Sequence, residues 1–232
     1  FRWKELHRFD YTPDECMRFH RAIEEVVVPA AERIAEKRRR LLGVESVRPW
    51  DTEVDPLGRG ALTPFSEVSQ LQEGVASIFH RVDERLATYF DTMVREELLD
   101  LDNRKNKAPG GYCTDFAALK RPFLFMNAVG IHYDVQTLLH EAGHSFHKFE
   151  KSHLPYYQQR QVGMEFSEVA SMAMVLLASP YLVKNQGGFY EQADAARAVI
   201  EHLDWGIRIW PYMAVVDAFQ QWAYEHPAES VD

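Results

Sequence analysis

Cysteine is scarce in this sequence: Cys16 and Cys113 are the only two among 232 residues, and their spacing suits neither a disulfide framework nor a metal cluster. Both sit among hydrophobic or aromatic neighbours, the setting of reduced, partly buried thiols. Long apolar runs are also lacking and no secretory signal pattern opens the chain, so the expectation is a soluble, cytoplasmic protein with no membrane partner. Nor is there a surplus of positive charge. The 26 Lys and Arg stand against 35 Asp and Glu, a formal net charge of −9, which argues against nonspecific binding to nucleic acid. The most basic stretch, Lys37-Arg38-Arg39-Arg40, falls near the end of a long helical pattern, where cations favour the negative end of the helix dipole. It is a solvated helix terminus on this reading. No internal repeat or low-complexity segment stands out, and the chain is long enough to bury a substantial core in one or two domains.

What is present is concentrated at one place. His140-Glu141-Ala142-Gly143-His144 puts two imidazoles four residues apart with a carboxylate directly after the first. On an α-helix a four-residue step returns to nearly the same face, so both rings can reach one ion while Glu141 lies toward an open coordination position. That is the outline of a zinc hydrolase site, and chance supplies only on the order of a few hundredths of such a motif in a chain of this composition. The surrounding segment from Asp134 to His147 has a helical pattern. Asp134 is placed to cap its start, and Leu138, Leu139, Ala142 and Phe146 supply apolar contacts. Gly143 costs about 1 kcal/mol relative to alanine inside such a helix, a cost that a close backbone approach would explain.

A catalytic zinc takes three protein ligands and leaves a fourth position for water, so the motif calls for a further His, Asp or Glu. The next strongly helical stretch, approximately Arg160 to Ser179, carries Glu165 and Glu168, and either can serve. The run that follows Glu168, as far as Leu177, is nearly free of charge, which marks Glu168 as the acid committed to a buried neighbourhood. A buried carboxylate needs a cation or hydrogen-bond donors to stay ionised.

Elsewhere the pattern is helical. Thr12 and Glu15 form a capping box around Pro13, opening a helix that runs toward Gly43 with a kink expected at Pro29. The segment from Pro49 to Pro64 is a loop by composition, and Ser66 is placed to cap a second long helix whose apolar side is Val68, Leu71, Val75, Ile78, Phe79, Val82 and Leu86. The two helices are expected to pack as a hairpin. A polar break follows from Leu101 to Gly111, and then Tyr112–Phe116 and Pro122–Met126 as short strands. Two further helical patterns, Glu191–His202 and Met213–Tyr224, flank the aromatic segment Trp205–Tyr212.

The zinc motif followed by Phe166-Ser167-Glu168-Val169-Ala170-Ser171 resembles the M3 metallopeptidases, the thimet oligopeptidase and oligoendopeptidase F group. The likeness is closest to the oligoendopeptidase F branch. It extends to Phe9-Asp10-Tyr11-Thr12, Arg48-Pro49-Trp50-Asp51, Gly110-Gly111-Tyr112-Cys113, Phe125-Met126-Asn127 and Asp217-Ala218-Phe219-Gln220-Gln221-Trp222, in the family's order. In that family the glutamate opening a Glu-Val-x-Ser element completes the zinc site, and Glu168 stands in its place. The resemblance implies a mainly α fold: long packed helices of a zincin-like, gluzincin catalytic region, with a small β-sheet beside the active-site helix. Residues 1–232 would form a single catalytic region, with long helical arms in 1–100 and the zinc-site portion in 101–232. It would be incomplete relative to the family at both ends. Family members continue past the position of Pro227 into a segment bearing a histidine and a tyrosine-rich motif, so the remaining C-terminal part of the same protein is an expected partner.

The expected chemistry is hydrolysis of internal bonds in short, unstructured oligopeptides. His140, His144 and Glu168 would hold one Zn²⁺ and Glu141 would be the general base. A peptide would add its backbone along the sheet edge, with Gly111, Tyr112, Asn127 and His147 as candidate substrate contacts. Aromatic packing for Tyr112 and a turn after a strand for Asn127 are the structural alternatives. His147 could contact substrate, orient a ligand or hydrogen-bond at the core edge. Two other activities fit the same motif. One is a related helical gluzincin with carboxypeptidase or dipeptidyl carboxypeptidase activity; the other is a zinc-containing peptide-binding domain without turnover.

Overall fold

A computed structural model of the chain describes residues 2–5 and 8–229. Its contacts divide the chain into two units, residues 1–60 with 200–232, and residues 61–199. In the first, α1 spans Arg2–Glu5 and α2 spans Pro13–Ala22. The capping box at Thr12 is formed as expected: Glu15 N donates to Thr12 Oγ1 at 3.3 Å, and Thr12 N donates to Glu15 Oε2 at 2.7 Å. A π-helical turn, Ile23–Val27, joins α2 to α3, Val28–Leu42. Pro29 has no N–H to give and its ring crowds the preceding turn, so the wider turn falls where the kink is expected. Gly43 ends α3 in the left-handed region at φ 67°. The basic stretch is largely committed internally. Arg39 and Arg40 pair with Glu36 at 2.7 and 2.6 Å, and Arg38 donates to the carbonyls of Asp51 and Val54.

The second unit is organised around one helix. Helices α4, Val68–Val82, and α5, Glu84–Arg95, precede three strands: β1, Leu99–Asp102; β2, Tyr112–Phe116; and β3, Arg121–Ala128. Then come α6, His132–Lys151, and α7, Met164–Ala178. The strand order is β1-β3-β2, with β1 parallel and β2 antiparallel to β3. Along β3 burial alternates residue by residue, so Pro122, Leu124, Met126 and Ala128 enter the core. Helix α6 packs on β3, β2, α4, α5 and α7. Leu71, Val75, Ile78 and Phe79 of α4 are fully buried with Phe90, Met93, Leu138 and Leu139, and Phe79 meets Phe146 edge-on at 4.8 Å. The apolar period expected for the second long helix is therefore its buried side. Within this unit it packs on α5, α6 and α7.

Several boundaries differ from the sequence pattern. The helix expected to run through Leu86 stops at Asp83, whose extended backbone and side chain, accepting from Arg85 N and Leu86 N at 2.9 and 3.2 Å, start α5 afresh. Asp134 caps α6 from inside it. Helix α6 begins two residues earlier, and Asp134 Oδ2 reaches back to accept from the N–H groups of Val129, Gly130 and Ile131 at 2.8, 2.8 and 3.0 Å. Strand β1 begins before the polar break, and Asn127 lies within β3 rather than in a turn after it.

The last helix, α8, is continuous over Gln192–Glu225, with Pro211 inside it, where two helices separated by an aromatic segment were expected. Tertiary contacts of the first unit offset the hydrogen bond that proline removes. Asp217 takes His20 Nε2 and Gln221 Nε2 at 2.9 Å each and Arg8 at 3.5 Å, and Phe19 packs on Trp210 at 5.7 Å.

Candidate metal centre

Among the described residues, the group of side chains that could hold a metal lies on α6 and α7. His140 and His144, one turn apart on α6, have ring centroids 4.9 Å apart at 83°. Glu168, in the second turn of α7, brings Oε2 to 3.2 Å from His140 Nε2 and Oε1 to 3.6 Å from His144 Nε2. The ligand atoms of the three residues lie within 4.8 Å of one another. Two imidazoles and a carboxylate are a donor set of catalytic zinc, and zinc–ligand bonds near 2.1 Å in a tetrahedron imply donor separations of about 3.4 Å. The residues present therefore fit one zinc ion. Among the described residues His147 and Glu165 are not in this cluster.

The helices meet there because Gly143 lets them. A Cβ at position 143 would stand 2.6 Å from Ser171 Cα and 2.7 Å from Ala170 O. No residue larger than glycine fits that contact without a backbone shift, so the close approach anticipated from the motif is real and is made by α7. Behind Glu168, the Ser171 hydroxyl lies 2.9 Å from its Oε2.

The electrostatics suit ligation. Burial is the main influence on His140 and His144 and lowers their pKa values, with Glu168 opposing, so neutral rings with free lone pairs are favoured. Glu141 is only 9% exposed. Burial first, and the Glu168 carboxylate second, push it up to about 7, against the pull of Lys148. Glu168 corrects the sequence reading: its side chain is 51% exposed rather than buried. Helix α7 buries one face only, leaving Phe166, Val169, Leu176 and Leu177 exposed, so charge-poor sequence did not mean buried sequence.

The sheet lies alongside. Cys113 and Asp115 of β2 face α6, with Cys113 Sγ 3.1 Å from Ser145 Oγ and Lys148 Nζ 3.2 Å from Asp115 Oδ1. Burial pushes the Cys113 thiol up to about 11, so it stays protonated. Gly111 rests against Thr137, where a Cβ would come within 3.3 Å of its methyl group. Tyr112, half-exposed, stacks on Phe125 at 5.0 Å. Asn127 Nδ2 donates to the carbonyls of Ala108 and Gly110 at 2.8 and 3.0 Å, pinning the loop that leads into β2. His147 has a buried Nε2 with no hydrogen-bond partner, and burial lowers its pKa. Sequence reasoning assigned no role to Ser171, Ser145 or Lys148. The signal for Ser171 was its place three residues after the acid, one helical turn on, as the serine of the Glu-Val-x-Ser element.

No curated protein matches the chain. Among solved structures it is similar to PZ peptidase A with inhibitor 2, at 31% identity and a TM-score of 0.88, over 97% of this chain and 39% of that one. A protein assigned as an oligoendopeptidase F from Bacillus anthracis strain Ames matches at 27% identity and a TM-score of 0.89, over 99% of this chain and 41% of that one. Another oligoendopeptidase F assignment matches at 30% identity and a TM-score of 0.88, over 98% and 39%. The chain thus spans about two fifths of the length of the structures it resembles. The model of peptidase family M3 matches residues 1–231. With its His140, His144 and Glu168 cluster on two packed helices, the chain belongs to peptidase family M3.

Proposed function

We propose that this chain carries the zinc centre of a metalloendopeptidase that cleaves internal bonds of short, unstructured oligopeptides. The observation that carries the reading is the convergence of His140, His144 and Glu168 beside the buried Glu141 carboxyl. A zinc ion held by the three residues would acidify water and polarise the scissile carbonyl. Glu141 accepts the proton of the attacking water and returns it to the departing amine, so one carboxylate serves twice. Burial of Glu141 supports this role, since a carboxyl tuned toward neutrality both takes and gives a proton at working pH. Among the described residues β2 pairs only with β3, and its other edge suits addition of a peptide backbone beside α6. Main-chain pairing gives affinity with little demand on sequence. The proposed setting is cytoplasmic, consistent with two cysteines that form no disulfide.

The test is a quenched-peptide assay with metal analysis on the parent chain and on Glu141→Gln. The variant should bind one zinc per chain and lose at least about 100-fold in hydrolysis, the scale of general-base contributions. Parent-rate cleavage by the variant would remove Glu141 from the mechanism.

A further inference from the structure

We infer that Ser171 is a positioning residue, whose hydroxyl holds the Glu168 carboxylate in the orientation that completes the metal site. The inference rests on the metal-centre reading above and adds to it a group that touches no metal. Glu168 needs such help. Its side chain is 51% exposed, and an exposed glutamate is free to spread over several rotamers. Ser171 is the opposite, with no exposed surface. Its Oγ is 2.9 Å from Glu168 Oε2 and 3.0 Å from the Glu168 carbonyl oxygen. A hydroxyl has one hydrogen to give, and a charged carboxylate is the stronger of these two acceptors. The oxygen it holds is the one 3.2 Å from His140 Nε2, so Oε2 is fixed from behind while its front faces the imidazole.

Where that hydroxyl stands is set by the other helix. Ser171 Cα lies directly against Gly143, between the two histidines in sequence, so the contact that positions α7 on α6 is made by the residue whose side chain aims the third ligand. The plainer alternative is a buried serine satisfying itself on the carbonyl three residues back, with the carboxylate nearby by coincidence. The two accounts differ in what metal binding should feel.

The experiment uses the full chain stripped of metal by chelation, titrated with Zn²⁺ against a competing chelator, together with thermal melting of the metal-free protein. Ser171→Ala should weaken zinc binding roughly 10- to 100-fold, the range for residues that orient a metal ligand, while the metal-free melting temperature stays near the parent's. Ser171→Cys, with a weaker donor of similar size, should fall between. In a Glu168→Ala background the serine substitution should cost nothing further, because no carboxylate remains to orient. Parent-like zinc affinity in Ser171→Ala or Ser171→Cys, or an equal loss in both backgrounds, overturns the inference alone. Parent-like affinity in Glu168→Ala overturns the metal-centre reading itself.

Discussion

Glu141 shows how a single side chain's surroundings set its chemistry. Its carboxyl ionises near 4.5 when free and near 7 in the fold, chiefly through burial and secondarily through Glu168. A carboxyl with a raised folded pKa holds its proton more tightly in the native state. Native stability is therefore greatest below the unfolded value and declines as pH climbs from about 4.5 to about 7. In metal-free protein this amounts to about 3 kcal/mol at alkaline pH. Glu141→Gln removes the titration, so the variant should melt increasingly above the parent as pH rises from 5 to 8, with chelator present. A difference that stays constant with pH would place the Glu141 proton elsewhere. At this scale much was legible in the sequence. The motif gave His140, Glu141 and His144 directly, because helical spacing alone puts them together. Glu168 stands out over Glu165 by the charge-poor run that follows it and by the family likeness; the first ground fails, because composition does not say which face of a helix is covered and the side chain is exposed.

At the scale of elements, the contact between α6 and α7 decides whether a site exists. Gly143→Ala tests it. Alanine favours a helix by about 1 kcal/mol over glycine, yet its Cβ would press on the α7 backbone, and overpacking of that kind costs roughly 1–3 kcal/mol. The expected outcome is a net loss in thermal stability and a weaker zinc affinity, measured by melting and chelator competition. A more stable variant with unchanged affinity would mean that the helices can part without consequence. The long periodic helices and strand β2 were readable because amphipathic periods and turn residues are local signals. The break at Asp83 hid inside a continuous apolar period, since an N-cap aspartate interrupts the backbone without interrupting the pattern. The continuity of α8 through Pro211 was hidden for the opposite reason: contacts such as Asp217 with His20, nearly two hundred residues away, override a local breaker. Asn127 likewise binds carbonyls seventeen and nineteen residues before it, a role no local pattern announces.

For the whole molecule, the two contact units make a regional prediction. All four residues of the proposed chemistry lie in residues 61–199. Zinc that binds only the folded site stabilises it by mass action, about 4 kcal/mol at a thousandfold excess over Kd. Amide exchange with and without zinc should therefore slow in α6 and α7, with residues 13–42 little changed. Protection confined to the first unit would contradict the assignment. The most direct measurement of the central claim is anomalous diffraction from zinc-soaked crystals of this chain. The account predicts one strong zinc peak per chain, bonded to His140, His144 and Glu168; a peak that omits Glu168, or zinc bound only elsewhere, would contradict it.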